Sequence, residues 1–223
     1  MAVAGMSSNL AFWDGRYAEH GRIYGKDPSV LARWTVNSRL LKPGGRIIEV
    51  GCGTGRNSIF FAKHGLEAAG MDFSAVALEM AKEDAGREGV DVAFVTGDMT
   101  ALGNVFKEPA FDAAFCNFCL HLFDETTGTA IVEGMRGLLV PDGIIVASLL
   151  STADDGFGVG KCLGPCTYET MPGKPHHFFT KAAVEALFGS FRILHLEQTH
   201  EFELIVSDTH ETMFWRLVAR EGG

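Results

Sequence analysis

The stretch that most constrains this chain is Arg46-Ile47-Ile48-Glu49-Val50-Gly51-Cys52-Gly53-Thr54-Gly55-Arg56-Asn57. Ile47, Ile48 and Val50 form a short β-branched run, the way a parallel strand buried on both faces reads. Three alternate glycines follow, and then Ser58 to Lys63 with apolar residues at helical spacing. Strand, glycine turn and helix start make the first half of a βαβ unit. Glycine lets the turn take positive φ, and its missing Cβ lets a ligand lie against the main chain. The helix N-terminus offers that ligand unpaired N–H groups.

Two details bear on the ligand. Where the dinucleotide fingerprint wants its third glycine, this chain has Arg56. Glu49 stands at the end of the strand, where a carboxylate repels a pyrophosphate and attracts an ammonium group.

The rest of the chain repeats the βα rhythm. Leu66 to Met71 reads as a second strand closed by Asp72, and Ala75 to Glu88 as a helix. Val90 to Val95 alternates as a third strand and ends in Gly97-Asp98-Met99. Phe111 to Cys116 is a fourth strand followed by a loop, residues 117–123. Thr126 to Leu139 is a helix, Pro141-Asp142-Gly143 a turn, and Ile144 to Leu149 a fifth strand. Thr180 to Phe188 reads as a helix. Phe191 to His200 and Thr212 to Arg220 read as closing strands, plausible as an antiparallel pair. Before the core, residues 9–25 hold Phe12, Trp13, Tyr17 and Tyr24 and suggest a helical flap; Val30 to Leu41 is helix-patterned up to Pro43-Gly44-Gly45. Residues 151–178 are glycine-rich without clear periodicity, the usual mark of a functional lid or a mobile segment.

Bulk properties narrow the partners. A chain of 223 residues fits one α/β domain with an extension. Its net charge of −9 argues against a phosphate backbone and leaves a small-molecule substrate. Five scattered cysteines read as free thiols in a reducing compartment. No apolar run approaches the roughly 20 residues that span a bilayer, and residues 1–10 do not have a signal-peptide pattern. The expectation is a cytoplasmic protein without a membrane or nucleic-acid partner; oligomeric state is open.

Glu49-Val50-Gly51-Cys52-Gly53-Thr54-Gly55 resembles the first motif of class I S-adenosylmethionine (SAM)-dependent methyltransferases, E/D-x-G-x-G-x-G. Asp72 and Asp98-Met99 are similar to that family's ribose and adenine positions, and residues 117–123 to its substrate-lining loop. The N-terminal Trp13-Asp14-x-Arg16-Tyr17 and Tyr24-Gly25-x-x-Pro28-Ser29 look like the cover of the small-molecule families related to the tellurite-resistance and thiopurine enzymes. The resemblance implies a doubly wound, mostly parallel seven-stranded sheet, Rossmann-like, with an antiparallel last strand. It divides one domain, 1–223, into a helical cover (1–44), a cofactor core (45–150), and a lid with closing strands (151–223).

The implied cofactor is SAM, held by Glu49, Gly51, Cys52, Gly53 and Asn57 at the glycine turn and by Asp72, Phe73, Asp98 and Met99 beyond it. Arg16, Tyr24, Cys116 and Asn117 complete that set. The implied acceptor pocket is Trp13, Tyr17, Asn117, His121 and His176. His176 and His121 are the candidate general bases, with His177 a third. Each residue has a plainer reading too: Asp72 or Ser74 as a helix cap, the aromatics as an anchor for the N-terminal helix, the histidines as structural or surface groups. Asp72 serves NAD enzymes equally well. Cys162, Cys166, His176 and His177 have poor zinc spacing, so no metal is expected. Methyl transfer to a small molecule stands against two alternatives, a nicotinamide oxidoreductase and a non-catalytic SAM-binding module.

Overall fold

The computed structural model describes residues 6–171, 173–205 and 208–222, so the start of the N-terminal cover, 1–5, lies outside the described residues. The elements run α1 (Met6–His20), α2 (Val30–Asn37), β1 (Arg46–Val50), α3 (Arg56–Lys63), β2 (Glu67–Asp72), α4 (Ala75–Glu88) and β3 (Val92–Thr96). Then come α5 (Leu102–Val105), β4 (Phe111–Asn117), α6 (Glu125–Arg136), β5 (Leu139–Leu150), and a small group β6 (Lys161–Gly164), β7 (Thr167–Met171) and β8 (Lys174–His177). The chain closes with α7 (Lys181–Leu187), β9 (Phe191–Ile205) and β10 (Asp208–Glu221).

The main sheet has seven strands in the order β3-β2-β1-β4-β5-β10-β9. β1, β2, β3, β4 and β5 pair in parallel, and β10 runs antiparallel to both its neighbours. Successive side chains of a strand point to opposite faces, and β1 feeds both layers. Ile47 packs with Leu31, Phe61 and Val146 on one face; Ile48 and Val50 pack with Ile131, Met135 and Leu217 on the other. Helices therefore cover both faces, and the unbroken apolar run of β1 follows from that burial.

Helix starts obey the capping rules. Ser29, Ser74, Asp124 and Thr180 each accept a hydrogen bond from a backbone N–H in the first turn of the helix they precede. The cap of α4 is thus Ser74 rather than Asp72. The expected helical flap, 9–25, is helical only as far as His20, where α1 ends, and continues as a loop through 21–25.

Three expectations need correction. Pro141-Asp142-Gly143, expected as a turn between a helix and the fifth strand, is an excursion inside β5, with Leu139 opposite Phe111, Ile144 opposite Ala113, and Asp142 at φ 65°. Residues 161–177 are not irregular but form a three-stranded antiparallel sheet, β6-β7-β8. Its strands are short and its first is largely exposed, so no alternation marked it in the sequence. It is anchored by the Phe157, Tyr168 and Phe178 rings and by Phe178 N–H donating to Cys166 O at 2.8 Å. The closing hairpin also extends further than expected, and Phe202 on it is 63% exposed.

Candidate functional site

A cavity of about 270 Å³ opens beyond the carboxyl ends of β1, β2 and β4, the place where open α/β sheets bind ligands. Its floor is the glycine turn. Gly51, Gly53 and Gly55 have φ of 77°, 53° and 75°, and a Cβ on Gly51 would fall 2.5 Å from Cys119 Sγ. Bare backbone is therefore required at that point. The turn is fixed from beneath: Gly51 and Cys52 N–H both donate to Met71 O, at 2.8 and 2.9 Å.

Asp72, at the end of β2, is buried. Its Oδ2 accepts from Gly53 N–H at 2.8 Å and its Oδ1 from Ser74 N–H at 2.9 Å. Burial raises its pKa, and these bonds oppose the rise. Glu49 is 2% exposed. It accepts from Asn57 Nδ2 (2.8 Å), Ser58 N–H (2.9 Å) and Ser58 Oγ (2.6 Å) at the start of α3. Desolvation still lifts its pKa to about 7, against the pull of those bonds and of Arg56.

The other walls come from distant parts of the chain. Asp98 caps the turn after β3, accepting from Thr100 N–H at 2.9 Å, and Met99 follows it on the wall. Asn117 and Phe118 hang from Ser148 of β5: Phe118 N–H donates to Ser148 Oγ, which donates to Asn117 Oδ1. The cover is α1 with its following loop, placing Trp13, Tyr17 and Tyr24 over the turn. Asp14 ties α1 down through Ser74 Oγ at 2.5 Å. β8 of the small sheet adds Lys174.

Of the residues singled out in the sequence, Trp13, Tyr17, Tyr24, Glu49, Gly51, Cys52, Gly53, Asn57, Asp72, Phe73, Asp98, Met99 and Asn117 share this one cavity. Five do not reach its wall, among them His177, whose Nδ1 is 2.9 Å from Thr167 Oγ1. Cys116 is fully buried in the core behind it. The Arg16 guanidinium lies over the Phe12 ring at 5.8 Å. His121 and His176 pack ring edge to face at 5.0 Å between the small sheet and the loop after β4. His176 Nδ1 is 2.5 Å from Thr170 Oγ1, and burial and the nearby Lys174 hold its pKa down at about 4. Lys174 is a wall residue that the sequence did not indicate, and Cys119 is one that it indicated only as part of the 117–123 loop. Phe118, with φ 48°, reverses the chain and brings Cys119 against Gly51 where the strand period favours Cys116. Among the described residues no three His, Cys, Asp or Glu side chains are grouped to hold a metal.

A methyltransferase-domain model matches residues 47–143, from β1 through the excursion in β5. Over those residues the chain is similar to a methyltransferase domain. A demethylmenaquinone methyltransferase of Renibacterium salmoninarum is 35% identical over 109 residues, 49% of this chain and 43% of that protein. A ribosomal RNA small subunit methyltransferase of Alcanivorax borkumensis is 32% identical over 80 residues, 36% of this chain and 24% of that protein. The match thus spans less than half the length of these relatives. Among solved structures, the 1,6-didemethyltoxoflavin-N1-methyltransferase of Burkholderia thailandensis superposes with a TM-score of 0.72 at 19% identity, covering 100% of this chain and 93% of that one. At that identity the likeness concerns the fold: residues 47–143 and the described segments on either side of them build one Rossmann-like architecture.

Proposed function

We propose that the chain transfers the methyl group of SAM to a small-molecule acceptor. The observation that carries this reading is the cavity beyond β1, β2 and β4, with bare glycine backbone on its floor, a buried acid at the end of β2, and an aromatic cover. The residues fit SAM at three points. Each Asp72 oxygen takes one backbone N–H and keeps a lone pair, enough for two ribose hydroxyls. Asp98 stands ready to accept from the adenine amine, with Met99 against the ring. Glu49, which lines the cavity with Gly51 and Gly53, faces the amino-acid end. When bound, SAM supplies a methyl carbon already activated by its sulfonium.

The chain's own task is then alignment, which can supply about 7–11 kcal/mol of the barrier. The loop of Asn117, Phe118 and Cys119 and the α1 side chains Trp13 and Tyr17 hold the acceptor and exclude water. A small acceptor fits the net charge of −9, which opposes a nucleic-acid backbone, and fits a cavity closed by α1 and the small sheet. The whole chain works as one unit: cover 1–44, core 45–150, lid and closing strands 151–223. No helix among the described residues is long and apolar enough to cross a membrane. Their free cysteines fit a cytoplasmic location.

Calorimetry with S-adenosylhomocysteine and NAD tests the cofactor. Binding of the first and not of the second is expected, and Asp72→Ala should weaken it by about 1.5–3 kcal/mol. Binding of NAD alone would replace this reading with the oxidoreductase.

A further inference from the structure

A second cavity, of about 450 Å³, lies at the other end of the sheet, by the segments that lead into β1 and β2. Its volume is in the range of small-molecule sites. Residues 35–43, the end of α2 and the segment before β1, form one side; His64 and Leu66, between α3 and β2, form the other. Val36, Leu41 and Leu66 give it apolar walls. Arg39, Lys42 and His64 give it three basic groups, and no carboxylate is among its described lining residues. That is the reverse of the first cavity, which Glu49, Asp72 and Asp98 line, and it occurs in a chain of net charge −9.

Among the described residues, neither the Arg39 guanidinium nor the Lys42 ammonium has an ion-pair or hydrogen-bond partner. The acids at this end of the sheet are engaged by Arg46 instead: its N–H donates to Asp112 Oδ2 at 2.7 Å and its guanidinium lies 3.8 Å from Glu67. Arg39 also has φ 51°, in the place just after the cap of α2 that glycine takes without strain. An arginine there works against its backbone preference, the kind of outlier from which a function is inferred.

We propose that this cavity binds a small organic anion with an apolar body, its acidic oxygens held by Arg39 and Lys42 and its body lying against Val36, Leu41 and Leu66. Arg39 can meet a carboxylate with two parallel N–H groups, and Lys42 adds a second positive charge. The plainer role is electrostatic capping. α2 and α3 end at Asn37 and Lys63, cations are favoured just past a helix C-terminus, and His64 Nδ1 is 2.8 Å from Phe60 O. Capping makes no distinction between a charged ligand and its neutral isostere.

That distinction is the test. Octanoate and octanamide share size and shape and differ in charge. Each is titrated into the ¹⁵N-labelled full chain at pH 7, in the wild type and in Arg39→Gln/Lys42→Gln, and amide shifts are followed by NMR. The expected result is octanoate-dependent shifts centred on residues 35–43 and 64–66. The wild type should prefer octanoate at least tenfold, and the double variant should lose that preference. No octanoate binding, shifts centred elsewhere, equal affinities in the wild type, or a preference that survives the double variant would each overturn the proposal. The wild-type comparison decides even if the variant does not fold. Neither cation lines the first cavity, so the outcome is independent of the methyl-transfer reading.

Discussion

The Tyr17 hydroxyl stands 2.7 Å from the point that a Cβ on Gly53 would occupy. The N-terminal cover therefore rests directly on the glycine turn after β1. Tyr17 is buried, and burial and the nearby Asp72 raise its pKa well above the usual value, so it meets the turn as a neutral phenol.

Gly53→Ala should show this contact. Its φ of 53° costs an L-residue about 1–2 kcal/mol, and the new methyl displaces Tyr17. Affinity for S-adenosylhomocysteine should fall at least tenfold by calorimetry. In a double-mutant cycle with Tyr17→Ala, the two losses should sum to more than the pair together costs, because the second change removes the clash. Strict additivity would mean that α1 does not sit on the turn in solution.

Glu49 predicts a pH dependence with a definite sign. Its folded pKa, about 7, lies above the ordinary carboxylic value of 4.5. The folded state therefore binds its proton more tightly, and the contribution is fully present below pH 4.5 and lost as pH rises through 7. The size is about 3 kcal/mol. Melting temperature should fall between pH 5 and 7 in the wild type more steeply than in Glu49→Gln; parallel curves would contradict the shift. If the ammonium of SAM lies near Glu49, binding should also release a proton in that window, readable by calorimetry in buffers of different ionisation enthalpy.

His121 and His176 share a contact but stand off the cavity wall, and burial lowers both pKa values. Either one acting as the general base would give losses of about 10²–10⁴-fold on removal. The contact instead seats the small sheet on the loop after β4. His176→Gln and His121→Phe should each cut turnover less than tenfold, with no change in the shape of the pH–rate profile between pH 5 and 8. A loss in the general-base range together with a vanished inflection would restore the base.

Much of this was legible from local pattern. Ile47, Ile48 and Val50 marked a strand buried on both faces, and the glycines marked a turn that needs positive φ. Asp72 followed from its place at a strand end. Strand order, by contrast, came from the resemblance, because pairing between distant segments has no local signature. The β6-β7-β8 sheet escaped notice because a short, exposed strand needs no hydrophobic alternation. Lys174 was silent for a related reason: its burial is caused by Phe12 and Trp13, far away in sequence. Cys119 depended on a single backbone reversal at Phe118, which no periodicity encodes.

The central claim is methyl transfer to a small molecule, and one measurement addresses it directly. The protein is incubated with methyl-labelled SAM and a pooled extract of cellular metabolites, proteins and RNA, and the label is followed after size filtration. The account predicts enzyme-dependent label in the small-molecule fraction, abolished by excess S-adenosylhomocysteine. Label confined to RNA or protein, or no transfer at all, would contradict it.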